Sequence, residues 1–333
     1  MDGQSSTNDM SVSAIIALYN PDLHLFEKAL LSVLNQTCPV KEIVLVNDGG
    51  ADNFKDKLPD DLRIKVFSKP NEGVAAARNF GIAQCTSEYI AFLDQDDFWY
   101  PDKIQEQIAL IPVSGEHCMV TSPIHIIDLK GDEIYKKSQR TQEIYFLKAS
   151  KEKALLHLAY ENFIYSSTPL IHRSVFDKAG LFDPHTQPHD DWDMYLRIVH
   201  AGFPVYFYRE KPLSVWRMHD SNESHKVNAM LRSKCLVEKK MLSVAADPDV
   251  RKVLKINLQL DYVELDNILY KERDYIQFRS LILTHLRSLL QEYAGNSGAE
   301  KELDNILMAR IQKIVLKSIR RYLFSFYCQA MQR

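Results

Sequence analysis

Residues Tyr89-Ile90-Ala91-Phe92-Leu93-Asp94-Gln95-Asp96-Asp97 run from an unbroken apolar segment straight into three carboxylates. The apolar half reads as a buried strand, and the C-terminal end of a strand is where an open α/β sheet presents its ligands. Three acids this close repel one another. They make sense around a cation, and hard oxygen ligands suit Mg²⁺ or Mn²⁺. Taken alone, the cluster also fits a solvated acidic turn, with Asp97 capping the helix expected after it, before Pro101. The choice between the two rests on the rest of the chain.

Upstream, strand and helix patterns alternate. Val12 to Leu18 is an apolar run suited to a central parallel strand, and Asn20-Pro21-Asp22 ends it. Phe26, Leu30, Val33 and Leu34 follow at helical spacing. Glu42 to Val46 reads as a second strand, ending at Asn47-Asp48-Gly49-Gly50, and Ile64 to Phe67 as a third. Gly73 to Ala83 is an Ala-rich helix leading to the Tyr89 strand. This alternation predicts an α/β fold: a Rossmann-like, mostly parallel sheet with helices on both faces. The middle is less regular. Val120 to Ile127 and Val205 to Phe207 read as strands, and Lys151 to Tyr160 and Asp191 to Ala201 as helices.

From about residue 226 long helical patterns take over, through Leu254, Leu258, Leu265 and Ile268 and then Leu281, Leu286 and Leu290. The expected organisation is a disordered N-terminus over 1–10, an α/β domain over 11–225 and a helical C-terminal extension over 226–333. The apolar stripes of the extension would also serve a homodimer. Ile311 to Arg333 carries Lys313, Lys317, Arg320, Arg321 and Arg333, interleaved with apolar residues and without an acid. A basic amphipathic helix of this kind either lies on an anionic membrane surface or packs on a partner with its basic face in water.

Composition narrows the class. The chain has 333 residues, 46% hydrophobic and 26% charged, in the ordinary globular range. A net charge of -3 gives no reason to expect nucleic acid. Five cysteines without metal-ligand spacing point to reduced thiols in the cytoplasm. Met1 to Met10 is polar, so neither a signal peptide nor an anchor is expected there, and nothing in the chain is apolar for long enough to span a bilayer.

Three acidic sites punctuate the α/β region: Asp48, the Asp94 to Asp97 cluster, and Asp190-Asp191-Trp192-Asp193 opening a helix. Between the first two, Gly73 permits close backbone approach and Arg78 offers a fork suited to a diphosphate or a carboxylate. In this order the chain resembles a family 2 glycosyltransferase of the nucleotide-sugar-binding GT-A fold. Val12 to Asn20 resembles that family's first strand, Glu42 to Gly50 its second, and Gly73 with Ala77-Arg78-Asn79 its next helix. Phe92-Leu93-Asp94-Gln95-Asp96-Asp97 stands where the family carries its DxD motif. Asp190 to Arg197 resembles its acceptor-site helix, and Trp216-Arg217-Met218-His219 its closing aromatic-Arg-x-His.

The resemblance implies a metal-dependent inverting glycosyltransferase. It would move a sugar from a nucleoside-diphosphate donor, with uridine as the expected base, to a glycan or lipid-linked acceptor in surface polysaccharide synthesis. The expected location is cytoplasmic, peripheral on the inner face of the membrane. Asp96 would ligate Mn²⁺ or Mg²⁺, with His219 as a second candidate ligand. Asp94 would reach the ribose or a metal-bound water, Asp48 would accept from the uracil N–H, and Tyr19 and Asn20 would line the base pocket. Arg78 would sit near the diphosphate or orient the DxD carboxylates. Asp191 is the expected general base, with Asp190 as the alternative base or an acceptor contact; Trp192, Trp216 and Arg217 fall on the acceptor side. Ala17, Asn47, Gly50 and Asp190 replace a common proline, aspartate, serine and glutamate of the family, and Asn47 removes a carboxylate from the base pocket. The alternative class is a catalytically inactive relative, a sugar-binding or membrane-surface assembly protein on the same fold. A phosphotransferase of the haloacid dehalogenase type fits poorly. It wants Thr or Val two residues beyond its second aspartate, and here that position is Phe98.

Overall fold

β1 (Val12–Leu18) lies between β2 (Glu42–Asp48) and β4 (Tyr89–Asp94), parallel to both, and β3 (Ile64–Lys69) extends the sheet beyond β2. Val46 and Asp94 stand opposite Ala17 on its two sides, so Tyr19-Asn20, Asp48 and Asp94 leave the sheet at one edge. The computed structural model describes residues 10–134, 150, 153–269, 308–314 and 316–317. These form two compact units, one reaching Leu158 and including Asn162–Asn222, the other made of Ala159–Glu161 and the chain from Glu223.

Strand alternation explains the two layers of helices. Ala14, Ile16 and Leu18 join Ile43 and Leu45 in a core with Phe26, Ala29, Leu30 and Val33 of α1 (Leu23–Leu34). Asp22 caps this helix, accepting from the N–H groups of His24 and Leu25. Ile15 points the other way, against Gly81 of α2 (Val74–Gln84).

The sheet has seven strands in the order β3-β2-β1-β4-β8-β6-β9, with β6 (Met119–Thr121), β8 (Leu170–His172) and β9 (Val205–Phe207). It is mostly parallel; β8 alone runs antiparallel to both its neighbours, β4 and β6. The fold is GT-A. The stretch expected as one strand over Val120 to Ile127 is two. β6 ends at Thr121, and after Ser122-Pro123 the chain starts β7 (Ile124–Asp128) in a second sheet, ordered β5-β10-β7 with β5 (Phe98–Trp99) and β10 (Ser214–Met218). Pro123 has no N–H to continue a ladder, which suits it to the crossover.

Among the described residues the first unit also holds α3 (Lys103–Ile108), α4 (Ala154–Tyr160) as far as Leu158, α5 (Val175–Ala179) and α6 (Asp190–His200). α6 buries Trp192, Met194, Tyr195, Leu196 and Ile198 and opens with its acids toward the sheet edge. The second unit pairs α7 (Val227–Val244) with α8 (Pro248–Leu269). Within it Arg310 is bonded to Asp261, and Lys234 stands 3.4 Å from the same carboxylate. No helix among the described residues is long and apolar enough to cross a membrane. The expected disordered N-terminus before residue 10, the Leu281 to Leu290 pattern and the basic tail beyond 317 lie outside the described residues.

Gly81 sets how closely α2 approaches the sheet. A Cβ there would stand 2.7 Å from Ile15 Cγ2, inside contact distance, and Ile15 is itself buried. Alanine gains about 1 kcal/mol of helix propensity, whereas overpacking a core costs about 1–3 kcal/mol. Gly81→Ala should therefore lower the unfolding free energy by up to about 2 kcal/mol in urea, and the loss should disappear when compared in an Ile15→Ala background.

Candidate active site

Arg78, on the second turn of α2, is buried between two acids from distant parts of the chain. Its Nη2 donates to Asp94 Oδ1 at 2.7 Å and its Nη1 to Asp190 Oδ2 at 2.9 Å. The guanidinium carbon also lies 5.5 Å from the centre of the Phe182 ring. Burial opposes its charge, but Asp94 and Asp190 outweigh that and hold it protonated, above the ordinary arginine value.

This pairing separates the two acids at the start of α6. Asp190 is buried and committed to Arg78. Asp191 is half-buried and has lighter partners: its Oδ1 accepts from the Trp192 N–H at 2.6 Å, and Asn162 Nδ2 stands 3.3 Å from both its oxygens. Burial, reinforced by the Asp190 charge, pushes the Asp191 carboxyl up to about 7. A carboxylate in that range exchanges protons near neutral pH, the property a general base needs.

The Asp94 to Asp97 loop is held from behind. Ser166 Oγ donates to Asp94 Oδ2 at 2.5 Å. Ser167 Oγ donates to Asp97 Oδ2 at 2.7 Å and accepts the Asp94 N–H at 3.2 Å, while its carbonyl accepts from Trp99 Nε1 and Ser214 Oγ, both at 2.9 Å. Asp97 Oδ1 also accepts the Arg217 N–H at 3.1 Å. Asp97 therefore anchors the loop from inside. It does not cap the following helix, where Asp102 holds the N-cap position of α3, because its carboxylate is buried and spent on Ser167 and Arg217.

Asp96 faces the other way. Its Oδ2 lies 2.8 Å from His219 Nε2, and His219 Nδ1 lies 2.8 Å from Ser221 Oγ. Burial and the neighbouring Asp94 charge raise the Asp96 carboxyl, which His219 opposes. Burial and the charges of Asp96 and Asp94 raise Asp97 far more. The donor set suits a divalent cation: a carboxylate oxygen beside an imidazole nitrogen whose other nitrogen is oriented by a hydroxyl, in a place where like charges are crowded. Asp94 is turned away from that pair, toward Arg78 and Ser166. In the second unit Cys235, Glu238 and Asp261 also bring ligand-type atoms within 4.8 Å of one another, but Arg310 and Lys234 already bear on Asp261.

Asp48 is buried. Its Oδ1 accepts from Lys69 Nζ (2.8 Å) and the Glu72 N–H (3.1 Å), and its Oδ2 from the Gly73 N–H (2.8 Å). Asn20, at φ 43°, accepts the Ala51 N–H through Oδ1 at 2.9 Å. Tyr19 beside it is 51% exposed, with its N–H on Gln95 Oε1 at 2.9 Å. Of the residues expected on the acceptor side, Trp216 is half-buried and tilted against Tyr165, with ring centres 5.4 Å apart. Trp192 is in the core, 0% exposed with its indole N–H on the Leu158 carbonyl, so no acceptor reaches it. Arg217 is also buried. Its Nη1 donates to the Asp96 carbonyl at 3.0 Å and its guanidinium lies 4.7 Å from the Phe98 ring centre, so it braces the loop from within.

No motif in the sequence assigns a role to three contributors: Asn162 against Asp191, Ser167 behind the acidic loop, and Gln187 ahead of α6. Each is an ordinary polar residue whose role depends on what the fold brings beside it.

The arrangement defines a class, an α/β enzyme with carboxylates gathered at the C-terminal edge of a GT-A sheet. The profile of Glycosyl transferase family 2 matches residues 13–180, and the chain belongs to that family. It is 32% identical over 228 residues to an uncharacterized glycosyltransferase of Rickettsia typhi, covering 67% of this chain and 68% of that one. A second relative from Rickettsia felis is 33% identical over 225 residues, and there the match spans 36% of the longer protein. Among solved structures, Staphylococcus aureus TarS 1–349 in complex with UDP-GlcNAc superposes with a TM-score of 0.62 at 16% identity, over 96% of this chain and 92% of that one. At that identity the likeness is one of fold.

Removing Arg78 leaves Asp190 buried without its counter-charge. Losing one partner of a buried pair costs about 3–5 kcal/mol. Arg78→Met should lose stability on that scale at neutral pH, and adding Asp190→Asn should recover most of it in chemical denaturation.

Proposed function

We propose that the protein is an inverting, metal-dependent glycosyltransferase that takes a sugar from a uridine-diphosphate donor and places it on a hydroxyl of a glycan or lipid-linked acceptor in surface polysaccharide synthesis. The observation that carries the reading is the difference in partners: Asp190 is paired with Arg78 at 2.9 Å, though burial still raises its carboxyl, whereas Asp191 is met by the Trp192 N–H and Asn162 and is raised to about 7. Of two adjacent acids, the one not held in an ion pair is the one free to take a proton from a substrate.

On this reading Asp191 removes the proton of the acceptor hydroxyl as that oxygen attacks the anomeric carbon. Attack from the side opposite the leaving group gives a single displacement with inversion. Asn162, in contact with both Asp191 oxygens, orients the carboxylate. Arg78, bonded to Asp94 and to Asp190, orients the acidic loop against the start of α6 beside the expected diphosphate. Asp96 and His219 would hold a divalent cation, which when bound neutralises the departing diphosphate. Asp94, its Oδ1 on Arg78 and its Oδ2 on Ser166, is held for the ribose. Tyr19 offers an exposed ring to the base, and Asn20 and Asp48 shape the pocket beneath it, Asp48 chiefly by holding the backbone of Glu72-Gly73. Trp216 with Tyr165 forms the aromatic wall on the acceptor side. The cytoplasmic membrane setting belongs to the same reading and rests on the family and on the basic pattern of 311–333.

Binding of a nucleotide at 100 times its Kd stabilises a protein by about 2.7 kcal/mol. UDP with Mn²⁺ should raise the Tm by several degrees, UDP alone much less, and Asp96→Ala should remove the metal-dependent part. A metal-dependent shift with GDP in place of UDP would change the base, and no shift with any nucleoside diphosphate would favour a sugar-binding or assembly role.

The base works only when deprotonated. With Asp191 at about 7, UDP release from the preferred UDP-sugar should rise with pH through that value and level off about one unit above it. Asp191→Asn should abolish turnover while keeping the UDP–Mn²⁺ thermal shift. If Asp190→Asn does so and Asp191→Asn does not, the roles within the pair are reversed.

A further inference from the structure

Every helix begins with backbone N–H groups that have no partner inside it. α2 begins at Gly73, which has φ 92° and no side chain to serve as a cap. Its N–H and that of Glu72 go to Asp48. The next two are met from much farther along the chain. With its amide oxygen facing them, Gln187 accepts the N–H of Ala75 at 2.7 Å and of Val74 at 3.0 Å. The φ of 92° at Gly73 is what calls for glycine, and a Cβ there would also stand 2.6 Å from the nearest atom of the Gln187 amide, the movable end of that side chain.

The cap belongs to the segment that leads into the catalytic helix. This segment is tied to α2 at three points. Asn79 and Phe182 exchange hydrogen bonds of 2.8 and 2.9 Å, Gln187 caps Val74 and Ala75, and Asp190 pairs with Arg78. Gln187 is the middle tie, and three residues later, through the His189 N–H on the Thr186 carbonyl, the chain enters the first turn of α6. Without it the segment is tied to α2 only at Phe182 and Asp190, and the stretch that leads into the turn carrying Asp191 loses its middle tie.

We infer that Gln187 is a positioning residue: by capping α2 from the loop before α6, it sets where Asp191 stands relative to the donor-side helix. It touches neither Asp191 nor any residue assigned here to the metal, and it acts through backbone placement. A displacement of about 1 Å at a catalytic group costs up to about a hundredfold in rate.

The test has two readouts, and the kinetic one rests on Asp191 acting as base. In amide hydrogen exchange, Gln187→Ala should speed exchange about tenfold or more in peptides covering 74–76 and also in those covering 186–193. Gln187→Glu should restore both, since a carboxylate oxygen accepts the same two N–H groups and is favoured at a helix N-terminus. In UDP release from the UDP-sugar that wild type turns over fastest, with Mn²⁺, Gln187→Ala should lower kcat about tenfold, leave the donor KM within about twofold, and be rescued by Gln187→Glu. Unchanged exchange over 186–193 in Gln187→Ala would overturn the inference. So would an undiminished kcat, or a loss that Gln187→Glu fails to restore and that comes with an equal rise in donor KM. Asp191→Asn keeps the two failures apart: retained turnover there removes the base assignment, while the exchange result still decides the role of Gln187.

Discussion

The site depends on a buried arginine. Arg78 joins α2 to the end of β4 through Asp94 and to the start of α6 through Asp190, so three elements share one charge. A buried pair is a poor source of net stability, because desolvation offsets most of the attraction. Its value here is positional. Once the guanidinium is inside, neither acid can leave without weakening its pairing, and the geometry of the sheet edge and the head of α6 becomes a single decision. The same bond divides labour at the head of α6. Asp190 is given to the scaffold, and Asp191 faces a field that keeps its proton affinity near neutrality.

The acidic loop is built on the same logic in a different form. Asp97 is turned inward onto Ser167 and the Arg217 backbone, Asp94 is shared between Arg78 and Ser166, and Asp96 is left facing His219. Three neighbouring carboxylates thus have three different environments. The hydrogen bonds that hold Asp94 and Asp97 come from β8's approach, residues 166–167, and from β10, elements far from the loop in sequence. Burial, and after it crowded like charge, raises the proton affinity of Asp96 and Asp97, a cost that a cation beside Asp96 would relieve.

The second unit uses buried charge as well. Asp261 in α8 is paired with Arg310 and approached by Lys234, and Glu238, buried beside the Asp261 charge, is pushed well above the ordinary carboxyl range. Asn257 one turn earlier donates to the carbonyls of Ala159 and Tyr160 and accepts from Arg310. Polar groups this deep specify one packing of α7, α8 and the 308–314 helix, since any other leaves a charge unpaired.

The sequence by itself determined the four parallel strands of the first hundred residues, α1 and α2, and the positions at which carboxylates leave the sheet. Those features are written in apolar runs, helical periodicity and turn residues, all of them local. The order of motifs was legible for the same reason, and with it the family. Only the tertiary structure decided what each acid does. Asp97 looked like a helix cap and is an internal anchor; Trp192 looked like an acceptor contact and is core; Asp191 was preferred over Asp190 through the family resemblance alone, since as neighbours the two acids read alike. Their separation rests on Arg78, 112 residues before Asp190, and the brace of the acidic loop on Ser167, 70 residues after Asp97. Bonds over such distances exist because β8 inserts antiparallel beside β4 and the head of α6 is joined to α2 through Arg78, and no periodicity along the chain records which element will lie next to which.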